Sequence, residues 1–212
     1  MHPKILDPRQ KAVLHDAAQW VSDEGFYLGG GLALGLQLGH RRSLDFDWFR
    51  EAPIDAPERL IEDFERVVGA DFKIDRVAQN TVLGTIKGVH ASFFRYSHPL
   101  IGGVVEYEGM PLASLEDLAA MKLLAIAQRG KKRDFIDLHT LLKKKFQLKQ
   151  MIDFFTRKYL TANVRSLLRS LTYFTDADRD VTPKMLVKVS WPLVKRDIEV
   201  AVTRYQVDEG LY

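Results

Sequence analysis

The chain of 212 residues contains no cysteine. That excludes a disulfide framework, a thiolate zinc site and a thiol nucleophile. No stretch approaches the ~18–20 apolar residues that a membrane span needs. The first residues, Met-His-Pro-Lys-Ile-Leu-Asp-Pro, lack the apolar segment of a secretory signal. Internal repeats and low-complexity tracts are absent too. The simplest expectation is a cytoplasmic protein with no membrane partner. What is present is ordinary globular material, 46% hydrophobic and 28% charged, enough for a core. The length suits one large domain, or a small α/β core carrying a helical second part.

The formal net charge is only +3, but it is unevenly spread. Basic residues bunch at Arg129, Lys131, Lys132 and Arg133, again at Lys143, Lys144 and Lys145, and recur at Arg165, Arg169, Lys184, Lys188, Lys195 and Arg196. Acids such as Glu58, Glu62, Asp63 and Glu65 concentrate earlier. A basic second half suits a polyanionic substrate, and equally a solvated helix face.

Local signals divide the chain near Pro111. Asp7 and Pro8 predict a helix start, and Gly25 its end. Phe26–Leu28 predicts a short buried strand running into the glycines at 29–31. Leu32–Leu38 is ambiguous, because its period suggests strand while its Leu and Ala content suggests helix. Ser43–Phe49 alternates as a strand, and a helix is expected from a cap at Asp55 through Val68. Residues 72–110 predict an antiparallel meander broken by Gly84, Gly88 and Gly102–Gly103. After Pro111, Ser114-Leu-Glu-Asp117 predicts a capping box, and helix is expected almost to the end, with proline-led starts at Thr182–Pro183 and Ser190–Pro192. The predicted fold class is α/β (α+β): a small mixed-sheet core over residues 1–111 and a helical region over 112–212 that completes the active site.

The chemistry-bearing feature is Ser43-Leu-Asp-Phe-Asp-Trp-Phe49. On a strand, Leu44, Phe46 and Trp48 face the core while Asp45 and Asp47 share the other face. Their backbone separation of ~6.6 Å lets both carboxylates contact one hard cation. Two adjacent carboxylates repel, and a divalent ion reverses that cost. Upstream, Gly30–Gly31 in a strand–turn–helix arrangement would expose backbone N–H groups to an anion. The plainer reading is a tight turn and a solvated strand face.

The stretch Tyr27–Phe49 resembles the AbiEii/AbiGii-type nucleotidyltransferase toxins of bacterial toxin–antitoxin systems, within the DNA polymerase β-like superfamily. That superfamily's motif is a hydrophobic-Gly-Gly/Ser turn followed by Asp-x-Asp/Glu. Lys122-Leu-Leu-Ala125 looks like the family's Lys-x-x-Ala motif, and Asp134-Phe-Ile-Asp-Leu138 like its Asp-x-x-Asp-Leu motif. The resemblance spans roughly residues 20–145. It implies Asp45 and Asp47 as catalytic ligands of Mg²⁺ or Mn²⁺. Gly30, Gly31, Arg41, Ser43, Lys122 and Arg129 become nucleotide-binding residues. Asp134 or Asp137 becomes the general base, with Asp134 preferred. Two departures stand out: Leu32 follows the glycines where relatives carry Ser or Thr, and His90–Tyr96 offers no third acid. Either Asp134 or Asp137 completes the site, or Glu106 or Glu108 does, or only one metal binds.

The expected function is transfer of a nucleoside monophosphate from a nucleoside triphosphate to an acceptor hydroxyl on RNA or tRNA, a protein or a small molecule, by a toxin with a cognate antitoxin. The alternative is a catalytically inactive nucleotide- or partner-binding module of the same fold. An Asp-x-Asp glycosyltransferase fits poorly, since 44 residues before Asp45 are too few for a nucleotide-sugar domain.

Overall fold

The computed structural model describes residues 1–69, 72–160 and 162–211. The chain divides into two compact units, Met1–Ser114 and Leu115–Tyr212.

The first unit is a mixed sheet with helices. Helix α1 (Pro8–Asp23) starts as predicted, with Asp7 accepting from the Gln10 backbone N–H and the Gln10 side chain accepting in return. Strand β1 (Tyr27–Leu28) leads through Gly29 into helix α2 (Gly30–Leu38). The ambiguous leucine segment is therefore helical. Gly31–Leu36 and Leu38 are buried, so its apolar residues surround the axis and no amphipathic period marks it. Gly39, at φ 65°, closes the helix by donating to Gly35. Strand β2 (Phe46–Arg50) follows, then α3 (Pro57–Val68).

Strands β3 (Phe72–Ala78), β4 (Thr81–Ile86) and β5 (Val89–Arg95) form an antiparallel meander, and β6 (Val104–Tyr107) with β7 (Met110–Ala113) a hairpin. The sheet order is β3-β4-β5-β2-β1-β7-β6. The expected single meander over 72–110 is thus split. β5 pairs in parallel with β2, β7 pairs in parallel with β1, and β1 and β2 lie antiparallel between them. Gly84 is no breaker. It sits within β4, where a Cβ would strike the Phe72 ring at 2.6 Å. The core gathers Trp48, Phe93 and Phe64, with ring centroids 4.8 Å apart for Trp48–Phe93 and 4.9 Å for Phe64–Phe93.

Two further local expectations fail. α3 is preceded by Ala56, which makes no side-chain cap bond, so Asp55 is not the cap. Strand β2 begins at Phe46, so Asp45 precedes the ladder, and Leu44 is 68% exposed rather than in the core. The Ser43 carbonyl there accepts from the buried Gln10 Nε2 at 2.8 Å, a bond outside any ladder.

The second unit is helical: α4 (Leu115–Arg129), α5 (Lys132–Lys144), α6 (Leu148–Lys158), α7 (Val164–Leu171), α8 (Thr175–Asp178) and α9 (Trp191–Asp208). The helix expected at Thr182–Pro183 is absent, and residues 181–190 carry none. Asp117 points into this unit's interior, where Lys158 donates to it at 2.7 Å with both side chains fully buried. The N-terminus of α5 is capped from a distance. Asp180 accepts from the Lys132 N–H at 3.0 Å, while Lys132 Nζ donates to the carbonyls of Asp178 and Asp180.

Candidate active site

The first group of candidate residues gathers where β1 ends beside β2. The Gly29 N–H donates to the Asp47 carbonyl at 2.8 Å, fixing the glycine turn to the acid-bearing strand. Gly30 has φ 63°, and a Cβ on it would overlap Asp47 Oδ2 and approach Asp47 Cγ to 3.1 Å. A Cβ on Gly31 would meet Ser43 Oγ at 2.7 Å and the Arg41 guanidinium carbon at 3.3 Å. The two glycines are therefore needed twice over: for a left-handed turn at Gly30, and for close approach of one carboxylate, one hydroxyl and one guanidinium to bare Cα atoms. Arg41 is buried and donates to the Arg42 carbonyl at 3.0 Å. Asp45 and Asp47 are both half-buried.

Asp47 Oδ2 and Ser43 Oγ put oxygen donors of the kind that suits a hard divalent cation at the glycine turn, with the Arg41 guanidinium beside them. A third acid is another matter. β5 runs parallel to β2 with Ser92 in register with Asp47, so the position beside the acid carries a hydroxyl. Glu106 lies on the edge strand β6, and Glu108, at φ 50°, in the β6–β7 turn. Burial and the Glu108 hydrogen bond push the neighbouring Tyr107 hydroxyl up to about 12. Among the described residues, no three His, Asp or Glu side chains converge as a metal cluster.

The second group lies within the helical unit. Lys122 on α4 bridges two acids of α5, at 2.9 Å from Asp134 Oδ1 and 2.7 Å from Asp137 Oδ2. Arg129, about two turns further along α4, grips Asp134 with Nε to Oδ2 at 2.9 Å and Nη2 to Oδ1 at 3.1 Å. Both aspartates have no exposed side-chain surface, whereas Arg129 remains 49% exposed. Burial pushes the Asp134 carboxyl up, but the Lys122 charge and the Arg129 hydrogen bonds outweigh it and hold it below its ordinary value. An inaccessible carboxylate held by two cations is a poor proton acceptor. The general-base part expected of Asp134 is thereby weakened, and its evident work is to fix Lys122 and Arg129. Lys122, expected as a nucleotide-binding residue, is held as a cation bridging the two acids.

Gln10 escaped the sequence reading. Its place three residues after Asp7 marks a capping box, yet nothing local reveals that its amide also anchors the loop before the acids. Asp180 was missed because it acts 48 residues away from Lys132.

Residues 95–209 match the family model described as nucleotidyl transferase AbiEii toxin, type IV toxin–antitoxin system. The chain belongs to this family. The matched segment contains the Lys122, Arg129, Asp134 and Asp137 cluster and begins after the glycine turn and Asp45–Asp47. An uncharacterized protein of Aquifex aeolicus (strain VF5) is 37% identical over 184 residues, covering 83% of this chain and 86% of that protein. Two solved structures share the fold. JHP933 from Helicobacter pylori has a TM-score of 0.57 at 20% identity, covering 98% of this chain and 91% of its own. MenT4, a nucleotidyltransferase toxin from Mycobacterium tuberculosis, has a TM-score of 0.53 at 17% identity, covering 99% and 89%. Membership of the AbiEii family makes this protein a nucleotidyltransferase. No described helix is long and apolar enough to cross a membrane.

Proposed function

We propose that this protein transfers a nucleoside monophosphate from a nucleoside triphosphate to an acceptor hydroxyl, releasing pyrophosphate, as the toxin of a bacterial toxin–antitoxin pair. The observation that carries this reading is the packing of Asp47 onto Gly30 and of Arg41 and Ser43 onto Gly31. It supports a role for the turn in holding phosphates next to the acids. Asp45 and Asp47 would hold a divalent cation, Mg²⁺ or Mn²⁺. When bound, that ion would neutralise triphosphate charge and polarise the phosphoryl group.

The remaining work falls to the chain's own groups. Backbone N–H groups at the start of α2 replace the hydroxyl that Leu32 does not supply, and they accept an anion at the positive end of the helix. The Arg41 guanidinium and Ser43 hydroxyl, packed against Gly31, add donors at the same turn. In the helical unit, the Asp134 and Asp137 carboxylates hold Lys122 and the Nε and Nη2 edge of Arg129 in fixed positions. The exposed part of Arg129 can then offer charge to a phosphate without reorganising. Catalysis of this kind is positioning and charge neutralisation, with little covalent help required.

The basic second half supports RNA as the acceptor. The test is incubation with each labelled nucleoside triphosphate, Mg²⁺ and total cellular RNA. Label should move into RNA with wild type, and be lost with chelator and with Asp45→Asn or Asp47→Asn, both remaining folded. Full activity in excess chelator would overturn the metal-dependent reading. Label in protein instead of RNA would move the acceptor.

A further inference from the structure

Helix α7 presents a polar face that the reaction described above does not use. Leu167, Leu168 and Leu171 are buried, while Arg165, Ser166 and Arg169 are exposed and Ser170 is half-buried. These four polar residues recur at the spacing that places them along one side of the helix. Beside that face lies a groove of about 460 Å³, bounded by the last turn of α4 and lined by Arg129, Ser166, Arg169, Ser170, Tyr173 and Asp176. Tyr173 is 56% exposed, while its neighbour Phe174 is buried, with its ring centroid 5.0 Å from that of Phe135.

The contents of this groove match the parts of a nucleotide. Two guanidiniums bind phosphate, and an open aromatic ring accepts a stacked base. Ser170 Oγ donates to the Ser166 carbonyl at 3.1 Å and retains lone pairs for a ligand donor. Asp176, the carboxylate of this lining, can accept from a ribose hydroxyl or a base amino group. Arg165 extends the cation row beyond the groove. It precedes Arg169 by one helical turn, ~6 Å along the axis, a spacing suited to successive backbone phosphates. A free triphosphate concentrates its charge at one end and has no use for such a row. A strand does.

The geometry points to a subsite for the single-stranded end of a nucleic-acid acceptor, with a base stacked on Tyr173 and the backbone tracked by Arg165 and Arg169. The groove ends at Arg129, whose other edge grips Asp134, so a strand lying in it leads to the Lys122, Asp134 and Asp137 cluster of the helical unit. This inference rests on the nucleotidyl-transfer reading for its biological sense, but its test does not need turnover.

The probe is a fluorescent single-stranded RNA dodecamer of mixed sequence, titrated by anisotropy into the full chain at low salt without nucleotide. Tyr173→Ala should weaken binding by about tenfold, and Tyr173→Phe should restore it, because the ring is what stacks. Arg169→Ala should weaken binding and reduce the slope of log affinity against log salt by ~0.7. Nucleoside triphosphate affinity, measured separately, should not change in any of the three. Thermal melts check that these exposed positions leave folding intact. Wild-type-like RNA binding by both Tyr173→Ala and Arg169→Ala would overturn the proposal, as would no RNA binding by wild type at low salt. Parallel loss of triphosphate affinity would instead make the groove part of the nucleotide pocket. Failure of the metal-dependent reading would leave these binding results unchanged, so the two ideas fail separately.

Discussion

At the scale of single residues, function depends on atoms that are missing as much as on those present. Gly30 combines a left-handed backbone with a carboxylate lying where a Cβ would go. Gly30→Ala should cost roughly 1–3 kcal/mol in chemical unfolding and displace Asp47, so that transfer falls far more than stability does. Equal activity in Gly30→Ala and wild type would remove Asp47 from the site. Lys122 makes a contrasting case. Its ammonium lies between two fully buried carboxylates, so Lys122→Met leaves both charges without that partner. We expect a loss of about 3–5 kcal/mol by urea unfolding. In conditions where the variant remains folded, triphosphate affinity should fall about tenfold, since the lysine also sets Arg129's partner. A stability loss without any change in affinity would confine Lys122 to a structural part.

At the scale of elements, what could be read from the sequence was what neighbours in the chain decide. The Asp7–Pro8 start, the Gly25 stop and the Phe46–Trp48 alternation all follow from interactions within a few residues. Leu32–Leu38 could not be resolved because burial on every side erases period. The parallel pairings of β1 with β7 and β2 with β5 lie beyond local patterns altogether, and so does the Ser92 register beside Asp47. The candidate residues themselves were legible as motifs. That Asp134 and Asp137 close on Lys122 came from helix packing that spacing on one helix does not reveal. Packing also sets two tests of the helical unit. The buried Asp117–Lys158 pair joins α4 to α6. Lys158→Met alone should destabilise by about 3–5 kcal/mol, while Asp117→Leu with Lys158→Met should recover most of that loss. A double variant as unstable as the single would mean that the pair does more than balance charge.

The α5–α9 junction gives a pH test of the same kind. Hydrogen bonds from Lys143 first, and then from His139, hold the Asp197 carboxyl down at about 2. A folded-state value below the ordinary 3.8 contributes stability that is present above that pH and lost as pH falls through about 2. Asp197→Asn should therefore be less stable than wild type at neutral pH, and the difference should close between about pH 4 and pH 2. Urea unfolding across that range measures it. A pH-independent gap would show that the bonds, and not the charge, tie the helices.

At the scale of the whole chain, charge separates the two units. Met1–Ser114 carries 12 basic and 16 acidic residues, a net of −4, and Leu115–Tyr212 carries 19 and 12, a net of +7. The unit with the acid pair is thus negative, and the unit with the α7 groove is strongly positive. If the acceptor is RNA, its attraction to the second unit should release counterions, and log affinity should fall with log salt by ~0.7 per phosphate neutralised on single strands. Triphosphate binding rests on few contacts and a bound metal, so it should respond far less. Lys143, Lys144 and Lys145 test how far this field extends. Lys143 is partly neutralised by Asp197 at 2.9 Å, so its removal should matter less than its formal charge suggests. Replacing all three lysines by alanine should weaken RNA binding and flatten the salt slope without changing triphosphate affinity. Unlike the Tyr173 effect, this loss should vanish at high salt, because it carries no stacking. RNA affinity that is insensitive to salt would exclude this electrostatic account and favour a protein or small-molecule acceptor.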